Sequence, residues 1–345
     1  MTDQASPVPL RGKKTGPSWV PSMAVQRYIL RRIVQAILVM LLVMVGSFIL
    51  IKLAPGDIVD TLAGTSEMSA ERMAELRQRY QLDQPVLVQL FYYMMRLMSL
   101  DFGYSPFNNA PVLDVIAKRW PVTAILVVCS VTISMAVGTV LGVLSARNAG
   151  KPVDLGISVL MLVFYATPSF IIAILLILVF SVKLNLMPIA GFATIGSGYT
   201  GLQYFRDVAW HLAMPITALC TFYIAIYGRI GRAAMLEVLK LDYIRTARGK
   251  GLSERRVIYV HALRNAMLAL VTMVGLQVSA LVGGAVLIET VFGLNGMGRT
   301  AFDAVFQRDT NLLLGVVFVS SLGVVIVNFI IDLLYMVLDP RVEIK

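Results

Sequence analysis

The chain has 345 residues, 58% of them hydrophobic and only 14% charged, with a mean hydropathy of +0.78. Soluble domains carry about 25% charged residues; the shortfall here is gathered into apolar blocks of about twenty residues, the length that crosses a hydrocarbon core as helix. That excludes an ordinary soluble globule and defines an all-α integral membrane protein. The net charge of +10 does not by itself mean nucleic acid, because in such a chain the question is on which side of the bilayer the charges lie. Cys129 and Cys220 both sit inside apolar blocks, which excludes a disulfide framework or a zinc site. His211 and His261 leave little for metal chemistry.

In chain order, residues 1–26, with Pro7, Pro9, Pro17 and Pro21, read as a disordered tail. A first span follows at 33–51, inside a helix reading of 27–51. Arg27, Arg31 and Arg32 precede it as in a secretory signal, but the apolar core is too long and Leu53-Ala-Pro55 is no cleavage site, so it reads as an uncleaved anchor. Residues 52–119 form an external helical insertion. Ser69 is a candidate N-cap, with Glu71 in the first turn and Met73, Leu76 and Tyr80 on one face. Pro85 opens a second helix through Leu100, rich in Phe91, Tyr92, Tyr93, Met94 and Met95 and charged only at Arg96, which places it in the membrane interface or against the bundle. A turn at Asp101-Phe-Gly-Tyr-Ser105 leads into a short amphipathic helix at 111–120. The insertion reads either as a cap covering the bundle or as a docking surface for an external partner, two readings that are compatible. Five more spans fall at 122–144, 156–182, 208–227, 266–288 and 312–338, within a core of 120–338, and 339–345 is a short tail. Pro168 and Pro215 sit inside the third and fourth spans, where the helix must distort.

Counting charges by side orients the chain. The two tails and the loops after the second and fourth spans hold nineteen basic and seven acidic residues; the other connecting segments hold eleven basic and twelve acidic. By the positive-inside rule both termini are cytoplasmic. Nine of the nineteen basic residues lie in one loop, 228–265, too long and too patterned for a plain connection. Leu236, Leu239, Tyr243 and Ala247 recur at helical spacing, Gly251 suits a left-handed helix end and Ser253 the start of a second short helix. Thr246, Ala247 and Gly251 are small along one edge, as close packing in a partner's groove requires. Two basic helices at a sharp turn make a knob that a soluble partner can grip. Anionic lipid accounts for the charge of the knob but not for this pattern.

Here the sequence resembles a family. Arg245-Thr-Ala-Arg-Gly-Lys-Gly251, followed by His261-Ala-Leu-Arg-Asn265, is similar to the EAA loop of ATP-binding-cassette importer permeases in its peptide and nickel permease version. Leu53-Ala-Pro-Gly-Asp57, Tyr80-Gln-Leu-Asp-Gln-Pro85, Asp101 to Ser105, Glu289-Thr-Val-Phe-Gly293, Gly296-Met-Gly-Arg299, and Asn328 to Asp332 with Leu338-Asp-Pro-Arg341 stand in that family's order, over nearly the whole chain beyond residue 26. Arg245, Thr246 and Ala247 stand where the generic pattern has Glu-Ala-Ala, and His261 to Arg264 where it has Ile-x-Leu-Pro; both sharpen the likeness to the peptide version. Asn295 replaces a usual proline, and Thr310-Asn311 a usual Tyr-Pro.

The resemblance, closest to the first membrane subunit of dipeptide or oligopeptide importers, implies a type I ABC importer permease fold of six transmembrane helices in the bacterial plasma (inner) membrane. It implies a homologous second permease, two cytoplasmic ATPase subunits and an extracytoplasmic substrate-binding protein, with no cofactor on this chain and ATP and magnesium on the ATPases. It implies ATPase coupling through Glu237, Tyr243, Arg245, Thr246, Ala247, Arg248, Gly251, Leu252, His261, Leu263 and Arg264. Asp101, Phe102, Gly103 and Tyr104 are candidates for docking the binding protein, and Tyr165, Pro168 and Met214 for lining the pathway. The residues agree that this is no enzyme: no Gly-x-x-x-x-Gly-Lys-Ser/Thr cradle for nucleotide phosphates occurs, and His211 and His261 lie on opposite sides of the bilayer. The rival is an ion-coupled secondary carrier, which relies on ionisable groups inside the spans. Only Asp332 qualifies, and it reads better as a helix-end residue paired with a neighbour.

Overall fold

The computed structural model describes residues 23–53, 59, 69–79 and 82–338. Most of both tails, Ala54 to Asp57 of the first motif, Tyr80, and Asp339 to Arg341 lie outside the described residues. Helix α1 (Met23–Leu53) begins within the stretch read as tail. It is apolar on almost every side, and Met44 and Phe48 are its buried contacts.

In the insertion, α2 (Ala70–Arg79) starts as the spacing predicts, with the Arg72 N–H donating to the Ser69 hydroxyl at 3.3 Å. Helix α3 (Val86–Met98) follows Pro85, whose carbonyl accepts the N–H groups of Val88 and Gln89. One face of α3 packs on α1, Tyr93 lying 5.6 Å from Phe48 between ring centroids; Leu87, Phe91 and Met98 face outward. Leu100 and Gly103 take positive φ and turn the chain into a ribbon absent from the sequence reading, β1 (Tyr104–Ser105) antiparallel to β2 (Ala110–Pro111).

Helix α4 (Val112–Arg147) runs unbroken through Pro121, so the short helix expected at 111–120 and the second span are one element. Pro121 forfeits a single backbone hydrogen bond, while Val112, Val115 and Ile116 are buried against α12 and Phe102 and hold the first turns in line. The third span, expected as one helix, is two limbs: α5 (Pro152–Ala166) and α6 (Ser169–Leu176), continued by π-helix from Ile177 to Lys183, bent by 97°. Pro168 forces Thr167 to an extended ψ of 122°, the steric rule for the residue before proline. Pro215 does not break α7 (Gly201–Val238). Met214, Pro215, Ala218 and Leu219 are all buried there, and packing holds the helix together across the proline.

After α7 come α8 (Asp242–Gly249), α9 (Glu254–Arg256), a π-helical stretch Val257–Ala262, and α10 (Leu263–Val291); α11 (Met297–Phe306) and α12 (Thr310–Leu338) are the last described elements. Among the described residues five helices are long and apolar enough to cross a bilayer, and the bent pair makes a sixth if counted as one span. Three apolar cores lie along them. A central one joins α4, α6, α7 and α10, one binds the insertion to α1, α11 and α12, and one fills the knob.

Candidate functional site

The knob is built on the end of α7, which runs ten residues past the loop boundary expected at Gly228. Its inner side is apolar: Ile244 and Ala247 of α8 meet Val257, Ile258 and Ala262, and all pack on Val143 and Ala146 of α4 and Met235 of α7. The turn ending α8 is a Schellman motif. The Leu252 N–H donates to the Ala247 carbonyl and the Gly251 N–H to that of Arg248, with Gly251 at φ +76°, a left-handed conformation that glycine adopts without strain. Nothing lies within 4 Å of where a Cβ on Gly251 would sit, so backbone conformation alone demands glycine there.

Across this turn Arg248 binds Glu254 through two hydrogen bonds, 2.7 and 3.1 Å, stapling α8 to α9. Asn265 donates from its amide to the Tyr243 hydroxyl, tying α8 to α10. Ser253 stands at the start of α9 but makes no side-chain capping bond; its carbonyl accepts the Val257 N–H instead.

Of the residues expected to contact an ATPase, Glu237, Tyr243, Arg245, Thr246, Arg248, Gly251 and Arg264 are exposed, and Leu252, His261 and Leu263 are half-buried. Ala247 faces inward at 8% exposure. Its small size serves the knob's own core, not an outer edge as the spacing predicts. The outer surface also carries Leu241, Tyr259 and Val260, apolar residues among bases that sequence reasoning did not single out.

At the opposite end, the Asp101 to Ser105 motif is a clasp. Phe102 is 5% exposed and packs on Phe318, centroids 5.7 Å apart, so it belongs to the core and not to a docking surface. Asp101 accepts hydrogen bonds from Arg96 at 3.2 Å and from the Gly103 N–H at 3.0 Å. The Asn311 amide donates to the Tyr104 carbonyl at 3.1 Å; a Cβ on Gly103 would meet Arg96 and Asn311. The buried Ser105 hydroxyl bonds the Asp309 carboxylate, which also accepts the Leu312 N–H at 3.1 Å and so caps α12. Burial pushes the Asp309 carboxyl above its usual range, against the pull of these two bonds. Asp101 and Tyr104 remain exposed.

The two glycine motifs near the end of α10 form a second clamp. The buried Glu289 carboxylate accepts the Thr123 hydroxyl of α4 and the Arg299 N–H, the latter at 2.8 Å, and Thr123 in turn accepts the Met297 N–H at 2.8 Å. Two of the open N–H groups at the start of α11 are thereby satisfied. A Cβ on Gly296 would collide with the Glu289 carboxylate, and one on Gly298 with Val286.

The candidate pathway residues separate. Tyr165 is 44% exposed, stacked on Phe222 at 5.3 Å, with the Arg229 guanidinium 5.2 Å from its ring centroid. Pro168 is exposed at the bend. Met214 is buried at 3% in the central core with the Ser181 hydroxyl against its sulfur, where it fills space and lines no opening.

Two further features escaped the sequence reading. Gly138 and Gly142 of α4 lie against the backbone of α7 at Tyr227, Gly228 and Gly231; a Cβ on Gly142 would stand 2.7 Å from the Gly228 carbonyl oxygen. Gly138-x-x-x-Gly142 is the small-residue spacing that lets membrane helices touch and was readable. The second is an ion pair between a buried Asp154 and a half-buried Arg232, 78 residues apart and invisible to local pattern. Asp332 of α12 pairs with Arg32 of α1 at 2.8 Å, the neutralised state expected of it. Among the described residues no group of three His, Cys, Asp or Glu could hold a metal ion.

A bundle of membrane-crossing helices with a broken span and a long helix ending in a basic knob defines a membrane component of a transporter. The family of binding-protein-dependent transport system inner membrane components matches residues 138–344, and its N-terminal companion matches residues 25–127. The chain belongs to this family. It is 37% identical to the dipeptide transport system permease protein DppB of Escherichia coli K12 over 336 residues, covering 92% of this chain and 99% of that protein. It is 39% identical over 315 residues to a Brucella suis protein named for a peptide transport system permease, covering 91% and 98%. The MetNI methionine ABC transporter in an inward-facing conformation shares the fold, with a TM-score of 0.53 at 16% identity over 66% of this chain and 98% of that one. The chain is thus a multi-pass permease subunit of the importer class and works beside other subunits.

Proposed function

We propose that the chain forms half of the pathway of a peptide importer, paired with a homologous permease and driven by two ATPases that grip the knob. A binding protein delivers the substrate at the insertion end. ATP and magnesium are bound by the ATPases and none by this chain. Both termini and the knob face the cytoplasm, in keeping with the excess of basic residues there. The names of the relatives favour peptides as cargo.

The observation that carries this reading is the continuity of α7 into the knob. A 38-residue helix, about 57 Å at 1.5 Å per residue, passes from the span into an element whose inner face is packed and whose outer face is unpartnered. Such a helix transmits rigid-body motion, as alternating access requires, and the knob itself performs no chemistry. Ion-coupled carriage draws no support from Asp332, which is already paired.

The test is Gly251→Val. A β-branched residue at φ +76° is strained by about 1–2 kcal/mol, enough to reshape the turn without unfolding the bundle. ATPase co-purification and substrate uptake are expected to fall together; normal assembly with normal uptake overturns the assignment.

A further inference from the structure

Resting on that reading of the knob, we propose that the Asp154–Arg232 pair is a coupling pin: it transfers displacement of α7 to α5, the lower limb of the broken span, and so to the bend at Thr167 and Pro168. Asp154 is the third residue of α5, and Arg232 lies six residues before the end of α7, just above the knob. The guanidinium meets the carboxylate as a fork, Nε to Oδ1 at 2.8 Å and Nη2 to Oδ2 at 2.8 Å. The Ser145 hydroxyl of α4 donates to Oδ1 and the Gly150 N–H to Oδ2, the latter at 3.0 Å. Four donors from three segments converge on a side chain only 7% exposed.

The far end of α5 is tied to the same helix. Tyr165, two residues before Thr167, is held between Phe222 and Arg229 of α7. Between the two ties Met161 is buried against Gly228. On the other side α4 meets α7 backbone to backbone through Gly138 and Gly142. The lower parts of α4, α5 and α7 are therefore one body, and the first freedom beyond it is the bend.

Apolar contacts resist separation but permit sliding, since dispersion has little directionality. A bidentate fork fixes register along both axes. Nor is stability the reason for a charge pair here, because ion pairs give little net stabilisation whether buried or, as Arg232 partly is, exposed. What the pair supplies is a contact between α5 and α7 that resists slipping, which makes Asp154 and Arg232 positioning residues for transport.

The test uses the complete transporter in proteoliposomes, with Cys129 and Cys220 replaced by alanine and Ile171→Cys as a reporter on the upper limb. Maleimide labelling of the reporter is measured with and without ATP and magnesium. In the otherwise unmodified protein the nucleotide is expected to change the labelling rate by about tenfold, within the ordinary range of allosteric coupling. Asp154→Asn combined with Arg232→Met removes both charges, so no unpaired charge is left in the site, and the amide oxygen still accepts the Gly150 N–H; an unchanged melting temperature checks that the fold is kept. Its ATP hydrolysis is expected to stay within about twofold while the labelling response disappears. Arg232→Lys keeps the charge without the fork and falls between. A full response in the double variant, or hydrolysis lost together with the response, overturns the pin. No nucleotide response in the unmodified background overturns the reading of the knob, and the pin with it.

Discussion

The two ends of this molecule are built on opposite plans. At the insertion end the polar groups of the motifs turn inward: Ser105, Asp309, Thr123 and Glu289 are buried and bonded to each other or to helix starts. At the knob end the motif residues turn outward, and Tyr243, Arg245 and Arg264 are exposed around a small apolar core. Motifs of similar prominence in the sequence thus carry different loads. One set holds helices in place, and the other is held in place so that something else can touch it. Substitutions at the first should lower stability, and those at the second should spare it and impair assembly.

The largest expected effect tests the insertion end. Phe102→Ala removes a ring from a closed core and should cost about 3–5 kcal/mol, read as a lower melting temperature in detergent. The exposed neighbour changed in Tyr104→Ala should stay within about 0.5 kcal/mol; equal effects at the two would erase the distinction drawn between them. Next is Gly296→Val, which drives a side chain into the Glu289 carboxylate and should cost about 1–3 kcal/mol, with loss of the capped start of α11. Normal thermal stability in that variant would count against the clamp.

A subtler probe is pH. The Asp309 carboxyl is raised by burial, so the folded protein holds this proton more tightly than the unfolded chain. Its contribution to stability is therefore fully present below the usual carboxylate range and is lost as pH rises through the raised value. Melting curves at stepped pH should show the insertion end firmer in acid, and Asp309→Asn should flatten that dependence. The smallest effect belongs to the knob. Glu254→Gln breaks a pair exposed by about half at both partners and should cost about 0.2–1 kcal/mol, shrinking further in salt, while ATPase binding falls more than melting does.

Much of this was legible because membrane solvation imposes simple rules. Apolar blocks gave the spans, and charge by side gave an orientation to propose. The glycine at 251 was readable because a helix end with a following cap has a local signature. What stayed hidden depends on packing at a distance. Pro168 and Pro215 look alike in sequence, yet one breaks its span into limbs at 97° and the other lies within a continuous helix, where Met214, Pro215, Ala218 and Leu219 are buried. Phe102 looked like an exposed aromatic in a turn until Phe318, more than two hundred positions later, closed over it. Asp154 read as one more charge in a short loop, and its partner lies on another helix.

The bend itself has a mechanical corollary. A straight helix pushed along its axis can only move as a piston, and a bilayer of fixed thickness leaves a piston little travel. On the proposed coupling, two limbs at 97° would act as a bell crank: a small displacement of the lower limb would become a sweep of the upper limb at nearly a right angle to it.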